Sequence, residues 1–215
     1  MSYFSDVAAL ARKDLLIELR AKEIVPAMLL FVISALTIFH FSVPARASQI
    51  HQVGLGLLWT AIIFTALLGL TRAFVPEREQ GLFDALIMAP CDRSAIWLGK
   101  AISVFAFLAL AELVALPAFG LFFFNVGWRT VAAVALADVG ICAVGTLIGA
   151  MAVAGRAREL ILPLLFLPLS IPIIVGGVGA SVLSNNKYLA FLGLYDAVFV
   201  LLSWSAFEYV VAETF

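Results

Sequence analysis

The stretch FVPEREQGLFDALIMAP, residues 74–90, places Glu77, Arg78, Glu79 and Asp84 in a chain otherwise fit for hydrocarbon. Val75 precedes a proline and is pushed toward an extended conformation. Pro76 suits the first turn of a helix, where its missing N–H costs nothing. Glu77 and Glu79 then meet the positive end of the helix dipole, at about 0.3–1 kcal/mol each. Leu82, Phe83, Leu86 and Ile87 make one apolar face, Pro90 stops the helix, and Asp92 is placed to cap the next one. The expected product is a short amphipathic helix with an acidic start. It could enter a groove on a cytoplasmic partner or rest on lipid headgroups, and a negatively charged leaflet disfavours the second.

Other candidates lie inside apolar runs, where an ionised side chain costs about 2.5–3.5 kcal/mol at mid-membrane. Glu112 is the deepest, five residues before Pro117; Asp138 and Asp196 fall in the outer halves of their runs, and Glu208 toward an inner end. Each is either satisfied by hydrogen bonding inside the bundle or, for Glu112 most sharply, a polar contact at an interface or cavity. The sequence shows no paired carboxylates, no HExxH and no nucleophile beside a base, so enzymatic chemistry is not expected. It has no G-x-x-x-x-G-K-[ST] phosphate cradle, so the chain does not hydrolyse ATP by a Walker site. His40 and His51 carry the imidazole used to ligate haem iron, but without a second ligand pattern they read as interfacial, as do Trp59 and Trp128. Cys91 and Cys142 lie at different depths and read as packing residues. No metal site and no nucleic-acid partner are expected.

The elements that must position these residues follow from composition. Hydrophobic residues make up 64% and charged residues 13% of the 215, with a mean hydropathy of +1.13. Ordinary soluble domains have about 45–50% and 25%. Apolar runs at about 24–43, 53–71, 101–124, 131–154, 160–182 and 188–211 each reach the roughly 20 residues that a membrane-crossing helix needs. Lipid permits only helices or closed barrels, and these runs lack a barrel strand's two-residue alternation. The predicted fold is an all-α integral membrane protein, one domain over 1–215. Its parts are an N-terminal segment at 1–23, spans 1 and 2 over 24–71, the short cytoplasmic helix at 74–90, and spans 3–6 over 101–211. Ten of the 13 Lys and Arg residues fall before span 1, between spans 2 and 3, or between spans 4 and 5. The positive-inside rule then puts both termini and residues 74–90 in the cytoplasm. Ala45-Arg46-Ala47 imitates a signal-cleavage site, but the preceding run exceeds a signal peptide's roughly 7–15 apolar residues.

Within 1–23, Phe4, Ala8, Ala11, Leu15 and Leu19 share one helical face, interrupted by Glu18 and Lys22. An interfacial helix is expected, with a solvated tail as the alternative. In the fifth span Pro168 and Pro172 each remove a backbone hydrogen bond, while Gly176, Gly177 and Gly179 loosen its outer end. The span should be kinked or broken, as a hinge or as a static packing device. Gly145 and Gly149 offer close packing within the bundle or across a dimer.

Glu77-Arg78-Glu79-Gln80-Gly81, followed by Asp84, Leu86, Ile87 and Pro90, resembles the E-x-E-x-G-[ST]-[LI]-[ED]-x-L-[LI]-x-x-P stretch of ABC-2 type transporter permeases. Leu82 departs from it, standing where Ser or Thr is usual. ARKDLLIELRAKE, GLLWTAIIFTALLGLTRAF, APCDRSAIWLGK, LPLLFLPLSIPIIVGG and YLAFLGLYDAVFVLLSWSAFEY are, in that order, similar to stretches of the CcmB family, membrane components of the haem exporters of cytochrome c maturation. The resemblance implies a non-catalytic permease subunit in the bacterial inner membrane, binding no cofactor itself. It implies a separate ATP-binding subunit (CcmA-like), haem-handling membrane proteins (CcmC- and CcmD-like), a haem chaperone (CcmE-like) and a second copy of the chain as partners. Residues 77–79, 81, 83, 84, 86, 87 and 90 would form the ATPase contact, and Glu112, Asp138, Asp196, Pro168 and Pro172 the polar or moving parts of the membrane domain. The WxWxxxWG-type haem motif of the maturation partners is absent. Alternatives are an ABC-2 exporter component for a lipid, glycan or drug, and, in another class, an intramembrane enzyme using Glu112 or Asp138.

Overall fold

A computed structural model describes residues 3–43, 50–74, 91–154, 158–183 and 185–213. Its described residues form seven helices and no strand: α1 Tyr3–Ala21, α2 Ile24–Ser42, α3 Ile50–Ala73, α4 Arg93–Phe122, α5 Trp128–Ala154, α6 Arg158–Val182 and α7 Asn186–Glu213. The six helices α2 to α7 are each long and apolar enough to cross a membrane. The expected spans are therefore present, most extended by a few residues.

α5 packs on α3, α4, α6 and α7, and α4 packs on α1, α2, α3, α5 and α7. These two helices and α3 hold the core, with Trp59, Leu58, Leu70, Leu108, Phe119, Ala137 and Ile141 fully buried. α2 and α7 are peripheral and turn Leu30, Ile38, Leu194 and Leu201 outward, as lipid-facing helices must.

Close approach of the helices is set by glycines. A Cβ on Gly145 would strike Leu70 of α3, and one on Gly149 would strike Phe74. The GxxxG pair thus packs within the bundle. α6 is one continuous helix that contains Pro163, Pro168 and Pro172, so the expected break is not found. Its outer glycines make room for neighbouring side chains: Gly176 receives Leu192, Gly177 the Trp59 indole, and Gly179 the Tyr188 ring. Trp59 is correspondingly a core residue, not an interfacial anchor; it donates from Nε1 to Ser181 Oγ (3.2 Å). Trp128, 65% exposed at the start of α5, does fit the anchor reading.

The N-terminal segment is helical, but the face it uses differs from the expected one. Of the expected face Ala11 is buried and Leu15 packs on the core, but Phe4 and Leu19 are exposed and Val7 and Glu18 are buried instead, because α1 packs along α4, with Leu10 Cβ 2.8 Å from where a Gly99 Cβ would lie. Glu18, which interrupts the apolar stripe, accepts hydrogen bonds from the backbone N–H groups of Ile24 (3.1 Å) and Val25 (2.9 Å). It thereby satisfies two orphan donors at the start of α2. Lys22, with φ of 54°, turns the chain between α1 and α2 in the left-handed region, its N–H closing on the Glu18 carbonyl at 2.7 Å.

Candidate functional site

Glu77, Arg78, Glu79, Gly81, Leu82, Phe83, Asp84, Leu86, Ile87 and Pro90 lie outside the described residues. What the structure gives is the anchorage of the segment's two flanks. On the leading side α3 ends at Ala73, and the ring of Phe74 fills the site left by Gly149 on α5. On the trailing side Asp92 caps α4 as expected, accepting from Ser94 N (2.8 Å) and Ser94 Oγ (2.7 Å). Those two donors hold the Asp92 carboxyl below its ordinary range. Burial, followed by the charges of Asp6 and Asp92, pushes the neighbouring Cys91 thiol up, away from the reactive thiolate.

Lys100 joins the two flanks. Its ammonium donates to the Ala73 carbonyl at 2.9 Å, lies 2.9 Å from Asp14 Oδ2 and sits 5.2 Å from the Phe74 ring centre. Ser103 Oγ donates to the same Asp14 oxygen at 3.1 Å. A cation on the last carbonyls of α3 suits the negative end of that helix, and a paired carboxylate lets Lys100 remain only 8% exposed. The end of α3, the first turns of α4 and the middle of α1 are therefore tied at one point. Sequence reading used Lys100 only as an orientation charge and missed Asp14. The available signal was an acidic residue on α1 matched to a lysine at the same membrane margin.

Deeper in the bundle, Glu112 of α4 and Asp138 of α5 are brought together, 7% and 2% exposed, near enough for each carboxyl to act electrostatically on the other. The expectation that the chain lacks paired carboxylates is corrected here, because the pairing runs between helices and leaves no spacing in the sequence. Asp196 of α7 is buried separately, its Oδ1 2.7 Å from where a Cβ on Gly140 would be. Glu208 is exposed. Pro168 is exposed on α6 and Pro172 half-buried, and neither lines the cavity beside Glu112.

The opposite end of the bundle is aromatic. His40 lies among Phe41, Phe122 and Phe123, with ring centres 5.3–5.7 Å away; His51 stacks on Phe124 at 4.2 Å. Both imidazoles are exposed, and His51 borders a cleft of about 220 Å³ with Trp128, Arg129 and Thr130. Among the described residues no group of three His, Cys, Asp or Glu side chains could hold a metal ion.

Comparison with known proteins agrees with this architecture. The sequence pattern of the family described as "CcmB protein" matches residues 5–212. A protein named "Heme exporter protein B" from Bradyrhizobium diazoefficiens is 29% identical over 179 residues, 81% of this chain and 80% of the relative. Proteins of the same name from Paracoccus denitrificans and Pseudomonas aeruginosa are each 29% identical, covering 80% of this chain and 80% and 78% of their own lengths. With six apolar helices in the order that the sequence predicts and a family match running through all of them, the chain is a multi-pass membrane protein that belongs to the CcmB family.

Proposed function

We propose that this chain is the permease subunit of an ATP-driven haem exporter serving c-type cytochrome biogenesis, converting the cycle of a separate ATP-binding subunit into movement of the membrane bundle. The observation that carries the reading is the family match through residues 5–212, with relatives named as haem exporter proteins over four-fifths of their length. In this reading residues 74–90 form the docking helix, with Glu77, Arg78, Glu79, Gly81, Phe83, Asp84, Leu86, Ile87 and Pro90 at the ATPase contact. The tie at Lys100 supports it: a force applied between Phe74 and Asp92 would reach α1, α3 and α4 together, not a single pliant helix. Haem is cargo of the complex, handled with CcmC-, CcmD- and CcmE-like proteins and a CcmA-like ATPase, with a second copy of the chain completing the membrane half. The setting is the bacterial inner membrane with both termini cytoplasmic, in keeping with the distribution of Lys and Arg.

Affinity purification of the tagged chain in mild detergent, wild type beside Glu79→Ala and Gly81→Pro, tests the proposal. The wild type should bring down an ATPase and haem-maturation proteins, and the variants should insert normally but lose the ATPase or its stimulation. Unaltered ATPase stimulation and c-type cytochrome assembly in both variants would refute the coupling role. Co-purification with a lipid- or glycan-export system would refute the haem assignment.

A further inference from the structure

We propose that Glu112 and Asp138 form a proton-binding site inside the membrane bundle, holding a proton between α4 and α5. Ionised carboxylates only accept hydrogen bonds, so these two neighbouring groups can bond to one another only when one of them carries a proton. Glu112 Oε1 and Asp138 Oδ1 are fully buried and accept no hydrogen bond. Unprotonated, the pair would set two negative charges side by side where even one is costly.

Among the described residues, those lining the space beside Glu112 include no cation. Facing Glu112 are Val32 from α2 and Ile62 and Thr65 from α3. The ionisable neighbour on α5 is the Cys142 thiol one turn along, and α7 contributes Asp196, which faces Gly140. Lys100 is 12 residues back along α4, about 18 Å by helical rise, and is engaged with Asp14. Charge balance at the pair therefore falls to protons.

The cavity beside Glu112, with Val32, Ile62 and Thr65 in its wall, has about 10 Å³ of free space and an apolar exposed lining, so the carboxyl oxygens are sealed from water while α4 and α5 stay packed. Separation of the two helices then has a chemical consequence, because the shared proton no longer has two carboxyl groups to bridge.

Infrared difference spectroscopy on the purified chain in lipid reads this directly and needs no other protein. The wild type should show the carbonyl stretch of a protonated side-chain carboxyl at neutral pH, shifted in D₂O and lost reversibly as the pH is raised. Glu112→Gln and Asp138→Asn keep shape and hydrogen bonding, and should each remove the band. If a variant fails to fold, wild-type protein labelled with ¹³C in its glutamate or aspartate carboxyls gives the same assignment by the isotope shift. Absence of the band, or a band that neither the substitutions nor the labels move, would overturn the proposal. So would its abolition by sodium at constant pH, which would make the pair a metal-cation site.

Discussion

Replacing Lys100 by methionine tests whether α1 is bound to the bundle by charge or only by shape. The substitution keeps an unbranched apolar stem and removes the ammonium, leaving the buried Asp14 carboxylate beside Ser103 and the Ala73 carbonyl without its donor. Both side chains of the ion pair are about one-tenth exposed, so solvent relieves little of the loss. Breaking a buried pair by removing one partner costs about 3–5 kcal/mol, and Lys13, 34% exposed and 3.1 Å from Asp14 Oδ1, offsets part of that. At 1.4 kcal/mol per tenfold change, the docking equilibrium of α1 on α4 should weaken by up to roughly 10²-fold. Protease sensitivity of α1 in nanodiscs, with thermal unfolding of the same samples, should report early cleavage and a lowered midpoint. The double variant Asp14→Asn, Lys100→Met should recover much of the difference, because no charge is then stranded. A Lys100→Met chain whose α1 stays protected, or a double variant as damaged as the sum of the singles, would refute the role of charge.

Two other substitutions probe the packing and the cap. Gly177→Val drives a branched side chain into the Trp59 indole and should destabilise by about 1–3 kcal/mol, seen as a lower unfolding midpoint in detergent; Trp59→Leu in the same chain should restore part of it. The Asp92 cap should depend on pH with a definite sign. Its folded carboxyl is held low by Ser94, so its contribution is present above the ordinary aspartate value of about 3.9 and is lost as pH falls through the lower folded value. Asp92→Asn should remove that acid-side dependence, and Asp92→Ala should cost about 1 kcal/mol at neutral pH, both read from midpoints across an acid titration.

The spans were legible because lipid leaves a helix no alternative and about 20 apolar residues announce it. Which face each helix turns inward was not. On α1 the apolar stripe pointed to Phe4, Leu15 and Leu19, yet the structure buries the side that carries Asp14 and Glu18, since Lys100, Ser103 and the start of α2 satisfy those acids. A hydrophobicity pattern treats an acid as solvent-facing and cannot see a partner elsewhere in the chain. The same limit hid the meeting of Glu112 with Asp138. In α6 the glycines were visible, but their purpose was decided by Trp59, Tyr188 and Leu192 on other helices. Asp92 was read correctly because a cap is local, one side chain and the two residues after it.

The bonds of α1 also differ in when they can first exist. Glu18 reaches a donor only 6 positions ahead, so its cap on α2 can close while that stretch is still emerging from the ribosome. Ser103 lies 89 positions beyond Asp14, and Asp14 must wait until α2, α3 and the start of α4 have been made and inserted. In the interval Asp14 has only its neighbour Lys13 as a charge partner at the membrane surface. The fastening of α1 thus marks completion of the first two spans and entry of the third, and a chain that stalls or misplaces α4 would expose the unfastened helix to quality-control proteases.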